Sequence, residues 1–130
     1  MQRGFSLVEV LVAMAILVGA IVTLAMVMAR SASTNAWARR ATYATLLASD
    51  KLEQLRALPV DADELAPSAA DTLATDCDGF FDEPAAGYKR RWSIVPLATQ
   101  PGSVVVTVTV SWGESPPQAL LTTVRVRRAA

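Results

Sequence analysis

The sequence contains no histidine and a single cysteine, Cys77, among its 130 residues. Without histidine, the commonest metal sites and the serine–histidine and cysteine–histidine nucleophile pairs are excluded, and one cysteine cannot form an internal disulfide. Net charge is also absent, because 12 Lys and Arg balance 12 Asp and Glu. No net charge therefore points toward nucleic acid as a partner. Because the usual nucleophile pairs are missing, we do not expect an enzyme either.

Charge is also lacking from the whole run Val10–Ala29. As a helix this run would be about 30 Å long, which matches the hydrocarbon thickness of a bilayer. A secretory signal peptide has a shorter apolar region and a small-residue cleavage site, and the sequence after Arg30 offers no convincing site. The run therefore predicts a retained single-pass membrane helix. Arg3 favours a cytoplasmic N-terminus, although Arg30 on the other flank opposes this preference.

Proline and glycine are absent from positions 20–58, so nothing interrupts a helix that continues beyond the apolar run. Apolar residues recur there at three- and four-residue intervals, which indicates an amphipathic helix. These residues are Trp37, Ala41, Ala44, Ala48, Leu52 and Leu55. Pro59 cannot continue the helical hydrogen bonding. We therefore predict one helix, with a membrane half at 5–29 and an amphipathic half at 30–58.

The rest of the chain predicts a connection and a small sheet. Residues 59–87 are rich in Asp, Ala, Pro and Gly and predict an acidic connecting loop with one helical turn near 61–65. Residues 88–130 alternate with period two and predict about three antiparallel strands. The apolar face of this sheet needs a cover, which the amphipathic half-helix can supply. The predicted fold is α+β, a long N-terminal helix packed on a small antiparallel sheet.

The sequence also predicts the burial or exposure of three sets of side chains on and beside these strands. Trp92 and Trp112 fall on regular strand faces, which favours core packing. Phe80 and Phe81 are expected to pack the acidic loop onto the sheet, whereas an exposed pair would indicate a partner surface. Two basic clusters are expected to be solvated strand positions. They are Lys89, Arg90 and Arg91, and Arg125, Arg127 and Arg128.

Acidic residues are concentrated in the loop, and four of them could supply oxygen ligands for calcium. They are Asp76, Asp78, Asp82 and Glu83. Their spacing is not that of an EF-hand loop, and acidic loops are more often simply solvated. Calcium is therefore the weaker interpretation, and no cofactor is expected. Cys77 is predicted to be a free thiol, or an intermolecular disulfide if it is exposed in an oxidising periplasm.

Glu9 is the only ionised side chain between Arg3 and Arg30. Ser6 and Glu9 have the spacing of a capping box, in which both side chains bond free amides at a helix start. A carboxylate in apolar surroundings is costly alone and tolerable when it is paired with an amine. Glu9 is therefore a helix cap or half of a pair completed by another chain, and the two roles are compatible.

The segment Gly4-Phe5-Ser6-Leu7-Val8-Glu9 and the uncharged run after it resemble the class III signal of type IV pilins and type II secretion pseudopilins. The resemblance implies that prepilin peptidase removes a leader of residues 1–4 by cutting between Gly4 and Phe5, and that the Phe5 amino group is then methylated. It further implies that Glu9 pairs with the Phe5 amino group of a neighbouring subunit during assembly. The predicted layout of helix and sheet resembles the pilin fold as well.

Two departures make the chain more similar to a minor subunit. Major pilins usually have a proline in the membrane half of the helix and a disulfide near the C-terminus, and this sequence allows neither. It resembles the I-type pseudopilin of type II secretion and PilV-type minor pilins. The resemblance implies a subunit of a type II secretion pseudopilus or type IV pilus, in the tip or initiation complex, with a periplasmic head. Its partners would be other pilin or pseudopilin subunits, prepilin peptidase and the inner-membrane assembly platform.

A function of another class fits the same residues. The chain could be a permanently membrane-anchored periplasmic binding module that uses the acidic loop and the sheet for a ligand. The two interpretations differ at Glu9, which is dispensable for an anchored module and needed for incorporation into a filament.

Overall fold

The structure, a computed structural model, describes residues 6–59, 62–69, 72–113 and 118–126. The chain divides into two compact units, Met1–Ala38 and Arg39–Ala130. One helix, α1 at Leu7–Ala57, begins in the first unit and ends in the second. A short 3₁₀ helix, Asp63–Leu65, and a four-stranded antiparallel sheet follow it. The predicted α+β fold, with a long helix packed on a sheet, is confirmed.

Helix α1 begins directly after Ser6, whose carbonyl oxygen accepts hydrogen bonds from the Glu9 and Val10 amides at 2.9 and 3.2 Å. Many of its residues are Ala, Leu and Met, which favour helix, and no proline interrupts it. It ends at Ala57 because Pro59 disfavours a helical conformation for the residue before it. The predicted C-terminal end at 58 is therefore correct to one residue. The predicted start at Phe5 lies outside the described residues.

In the first unit, the large apolar side chains of α1 are exposed. From Leu7 to Met28 their exposed fractions range from 47% to 78%. They point in every direction around the helix, which is typical of a membrane span and not of a surface helix. Among the described residues, α1 is the helix long and apolar enough to cross a membrane.

In the second unit, α1 presents a narrow buried face made by Ala44, Ala48, Leu52 and Leu55. Intervals of four and three residues place these side chains on one stripe of the helix. The two alanines are fully buried, and their small size lets the helix backbone approach the sheet closely. Trp37, which was predicted to belong to this stripe, belongs to the first unit and is 54% exposed. The buried face therefore begins later than the pattern predicted.

The sheet is a meander in which every strand pairs with the next one. Its strands are β1 at Phe81–Ala85, β2 at Tyr88–Pro96, β3 at Val104–Trp112 and β4 at Gln118–Arg125, in the order β1-β2-β3-β4. Gly87 has φ 78° in the two-residue loop between β1 and β2, a conformation that glycine adopts without steric cost.

The core of the second unit lies between α1 and one face of the sheet. Ile94, Val106, Val108 and Val110 are at most 1% exposed, and both Trp92 and Trp112 are 6% exposed. The predicted core positions of the two tryptophans are therefore confirmed.

Strand β1 corrects the prediction of about three strands and the placement of residues 81–85 in a connecting loop. Its sequence, Phe-Asp-Glu-Pro-Ala, is short and contains two acids and a proline, none of which favours a strand. The pairing with β2 is irregular between Asp82 and Ala85, where Pro84 lies. Proline is tolerated on edge strands and at bulges, and β1 is an edge strand.

Strand β4 leaves two large aliphatic side chains exposed on its outward face. Leu120 and Val124 are 59% and 53% exposed, and Val126, directly after the strand, is 58% exposed. The alternate side chains of Leu121, Thr123 and Arg125 are partly buried. Leu121 packs against the core, and the Thr123 hydroxyl accepts a hydrogen bond from Arg56 of α1 at 2.6 Å. On the inward face Thr123 and Arg125 therefore bond to α1, whereas Leu120 and Val124 on the outward face remain exposed.

Two arginines that were predicted to be solvated are instead part of the packing between α1 and the sheet. Arg90 is 5% exposed. Arg125 is partly buried and donates hydrogen bonds to the carbonyl oxygens of Leu55 and Leu58. The last carbonyls of a helix have no partner within the helix and attract cations, so Arg125 caps α1. Arg127 and Arg128 lie outside the described residues.

Candidate functional site

Of the predicted processing and assembly residues, the structure describes Glu9, at the N-terminal end of α1. Gly4 and Phe5 lie outside the described residues. Glu9 is the acidic residue of the first helical turn, and its side chain is exposed. Negative charge is favourable there, because the free amides of a helix start carry partial positive charge.

The capping box predicted for Ser6 and Glu9 is not found among the described hydrogen bonds. Within residues 6–59, the two residues are joined through the backbone, with the Glu9 amide 2.9 Å from the Ser6 carbonyl oxygen. Glu9 lines a shallow hollow of about 350 Å³ together with Val10, Ala13, Met14 and Leu17. An acid beside an apolar hollow is suited to an amine that is attached to an apolar group.

The carboxylates of the acidic loop that the structure describes are not gathered into one site. Asp76 Oδ1 accepts a hydrogen bond from Arg91 Nε at 2.7 Å, and Asp76 Oδ2 accepts one from Lys89 Nζ at 3.1 Å. The bond from Arg91, followed by that from Lys89, lowers the pKa of Asp76 below its ordinary value. Asp76 is therefore a partner for two cations of β2.

Asp82 has a different cation. Its two carboxylate oxygens accept hydrogen bonds from Arg90 Nε at 2.8 Å and Arg90 Nη2 at 2.6 Å. Arg90 Nη1 also donates to the Leu47 carbonyl oxygen at 2.9 Å and lies 3.4 Å from Asp50 Oδ2. The bonds to Asp82 raise the pKa of Arg90 despite burial, so the guanidinium stays charged and joins β1, β2 and α1.

Two of the predicted calcium ligands bond to side chains on opposite faces of β2. The side chains of Lys89 and Arg91 alternate with that of Arg90, so Asp76 and Asp82 bond to opposite faces of the sheet. Glu83 lies 3.8 Å from Lys89, and Asp78 is exposed. The described part of the chain holds no group of three His, Cys, Asp or Glu residues that could bind a metal ion. The calcium prediction gains no support from this arrangement.

The aromatic pair and the cysteine complete the loop. Phe80 is partly buried against the core, with its ring centroid 6.5 Å from that of Trp92, as predicted. Phe81 lies beneath the cations of Lys89 and Arg91, which are 5.4 and 6.0 Å from its centroid. Cys77 is a free thiol of intermediate exposure, and its sulfur lies 3.2 Å from the Thr75 hydroxyl.

Sequence reasoning missed a groove of about 630 Å³ in the second unit, at the C-terminal end of α1. Lys51 Nζ is 3.7 Å from the centroid of the Trp92 ring in this groove. Burial lowers the pKa of Lys51, although the negative charge of Asp82 opposes the shift. Neither the periodicity nor the composition of the sequence indicates this groove. Its residues come from α1, the 3₁₀ helix, the loop and β2, which are separate segments of the chain.

The comparisons with known proteins bear on the N-terminal segment. Residues 1–29 match the family model described as the prokaryotic N-terminal methylation motif. No curated protein and no solved structure matches the chain. The matched residues contain the predicted cleavage position and Glu9, and they overlap the exposed apolar part of α1. The chain therefore carries a prepilin signal of the type IV pilin type, the signal that prepilin peptidase processes.

Proposed function

We propose that the protein is a non-enzymatic minor pilin-like subunit. It is cut between Gly4 and Phe5, methylated at Phe5 and assembled into a type II secretion pseudopilus or a type IV pilus. The observation that supports this proposal is the methylation motif at 1–29 directly joined to a helix with exposed apolar side chains. The place in the tip or initiation complex rests on the lack of an internal disulfide and of a proline in the membrane half.

The exposed apolar surface of α1 supports a role both in the membrane and in a filament. Apolar side chains between Leu7 and Met28 are stable in lipid and unstable in water. A chain that leaves the membrane therefore needs another apolar environment, which the same helices of neighbouring subunits would provide. One surface then acts first as the anchor and afterwards as the packing surface.

Glu9 would supply the specific contact of that packing. Its carboxylate is the only charge in α1 before Arg30, and the residue lines an apolar hollow. Among apolar side chains an unpaired carboxylate is unfavourable, and an ammonium group is the partner that removes the penalty. The methylated amino group of a neighbouring Phe5 remains cationic and carries an apolar ring, so it matches both parts of the site.

Mass spectrometry of the protein from cells with active prepilin peptidase tests the processing step. We expect a mature chain that begins at Phe5 and carries one added methyl group. Replacement Gly4→Leu removes the small residue before the cut and should leave the leader in place. An N-terminus other than Phe5 in the wild-type chain would contradict the proposal.

Incorporation of Glu9→Gln into sheared filaments tests the assembly role. We expect at least a tenfold loss of incorporation, because the amide cannot neutralise the neighbouring amine. Glu53→Gln is the matched control, since Glu53 lies on the same helix in an exposed i,i+3 pair with Arg56. Normal incorporation of Glu9→Gln would instead favour the permanently anchored binding module.

A further inference from the structure

The groove at the C-terminal end of α1 has an apolar floor. Leu55 and Trp92 are 4% and 6% exposed, and Leu58 and Phe80 are partly buried beside them. The Phe80 ring and the Lys51 ammonium both contact Trp92, which restricts the orientation of the indole. The floor is therefore preformed, as is usual for binding sites of this size.

The two sides of the groove differ in charge. Lys51 and Gln54 form one side, and Asp63 and Glu64 of the 3₁₀ helix form the other. The ammonium of Lys51 is directed at the face of Trp92, where it already has an interaction partner. No described residue forms an ion pair with Asp63 or Glu64, and both are exposed. The accessible charge of the groove is consequently negative.

We propose that this groove binds a basic and apolar polypeptide segment of a neighbouring subunit. A Lys or Arg side chain of that segment bonds to Asp63 and Glu64. The adjacent aliphatic or aromatic side chain packs against Leu58 and Phe80, the floor residues that are only partly buried, next to Trp92. Charge complementarity selects the cation, and burial of the apolar neighbour supplies affinity.

A polypeptide suits this groove better than a small amine. The rim residues Gln54, Asp63 and Glu64 are exposed, so the groove would not enclose a small ligand but could admit a passing chain. The identification of the partner as another subunit rests on the function proposed above. Binding of a basic segment can be measured without any assembled filament.

The experiment uses the full chain in detergent micelles and a synthetic peptide of alternating leucine and arginine, acetylated and amidated at its ends. The binding is followed through the Trp92 indole resonance, which is assigned with Trp92→Phe. We expect saturable binding that weakens as salt is raised. Asp63→Asn combined with Glu64→Gln should raise the Kd at least about tenfold.

Matched controls separate the groove from general charge and from micelle binding. Glu53→Gln combined with Glu83→Gln removes the same charge from exposed positions outside the groove lining, and its Kd should equal that of the wild type. The same peptide with glutamate in place of arginine should leave the Trp92 resonance unchanged.

Three outcomes would overturn the proposal. Both double variants could weaken binding equally, or the Trp92 resonance could fail to respond. Finally, the peptide could bind only to the variant with Arg127→Gln and Arg128→Gln and not to the wild type. This result would mean that this chain's own basic end occupies the groove. Failure of peptide binding with a correctly processed N-terminus would remove this proposal and leave the subunit function intact.

Discussion

Arg90 joins the sheet to α1 through several hydrogen bonds of one side chain. Its guanidinium donates to both oxygens of Asp82 and to the Leu47 carbonyl oxygen. A buried cation without partners is strongly unfavourable, whereas one with charged and carbonyl acceptors is tolerated. Asp82 and Asp50 remain partly open to water, which reduces the strength of both pairs.

Replacement of Arg90 by methionine should lower the free energy of unfolding by about 2 kcal/mol, because hydrogen bonds to a charged group are lost while volume is kept. Arg39→Met on the exposed surface of α1 should change it by less than about 0.5 kcal/mol. Denaturant unfolding followed by tryptophan fluorescence gives both values. Equal effects of the two substitutions would show that the Arg90 network adds no stability.

The ion pairs of Asp76 should make stability depend on pH in the acid range. Its pKa is lowered in the folded chain, so the charged carboxylate stabilises the fold above its ordinary pKa of about 4. This contribution is lost as pH falls through the lowered pKa. The Tm of the wild type should exceed that of Asp76→Asn at neutral pH, and the difference should vanish in acid. A difference that does not change with pH would contradict the assigned pairs.

At the scale of single residues, sequence identified some positions and missed others for a definite reason. The carboxylate of Glu9 was recognisable because no other charge surrounds it. Arg90 and Lys89 are adjacent in sequence, yet the first is buried and the second is exposed. Their difference depends on Asp82 and Leu47, of which Leu47 is 43 residues distant from Arg90. Local pattern carries no information about such a partner.

At the scale of elements, periodicity predicted α1, β2 and β3 because each is long and its period is regular. It could not predict β1, whose five residues include Pro84. The period-two alternation of side chains also predicted that β4 is a strand, but it did not predict which face of the strand points toward α1. The inward face combines Ala119 and Leu121, which pack against the core, with Thr123, which bonds to Arg56, and Arg125, which bonds to the end of α1.

The two faces of the sheet should respond differently to the same substitution. Val106 is 1% exposed and Val124 is 53% exposed. Val106→Ala should lower the free energy of unfolding by about 2 kcal/mol, through lost burial and a residual cavity. Val124→Ala should lower it by only about 0.5 kcal/mol. Denaturant titrations of both variants test this, and a large effect at Val124 would show that the outer face of β4 is covered in solution.

At the scale of the whole molecule, the two units differ in how far their apolar side chains are buried. The second unit encloses its own between α1 and the sheet. The apolar side chains of the first unit are exposed. Composition predicts a membrane half at 5–29 and an amphipathic half at 30–58, because the uncharged run is long enough for a bilayer and the later stripe is too narrow for one. The boundary between the two compact units lies nine residues later, between Ala38 and Arg39.

Alkaline extraction of membranes should show this division directly. Leu17→Arg places a charge near the middle of the apolar run, which costs about 3 kcal/mol of insertion free energy and should increase the extractable fraction. Leu46→Arg is the matched control on the same helix, at a side chain that is 61% exposed in the second unit. The control should stay in the membrane fraction. Equal extraction of both variants would contradict anchoring by the first unit.

The sequential strand order also determines how quickly the sheet can form. Each strand pairs with the next one along the chain, so every hairpin closes over a short loop at small entropic cost. The bonds to α1 instead join residues 43 and 70 positions apart. We expect the hairpins to form in the transition state and α1 to dock afterwards. Replacements in β2 and β3 should then slow folding, whereas loss of the Arg125 cap should mainly accelerate unfolding.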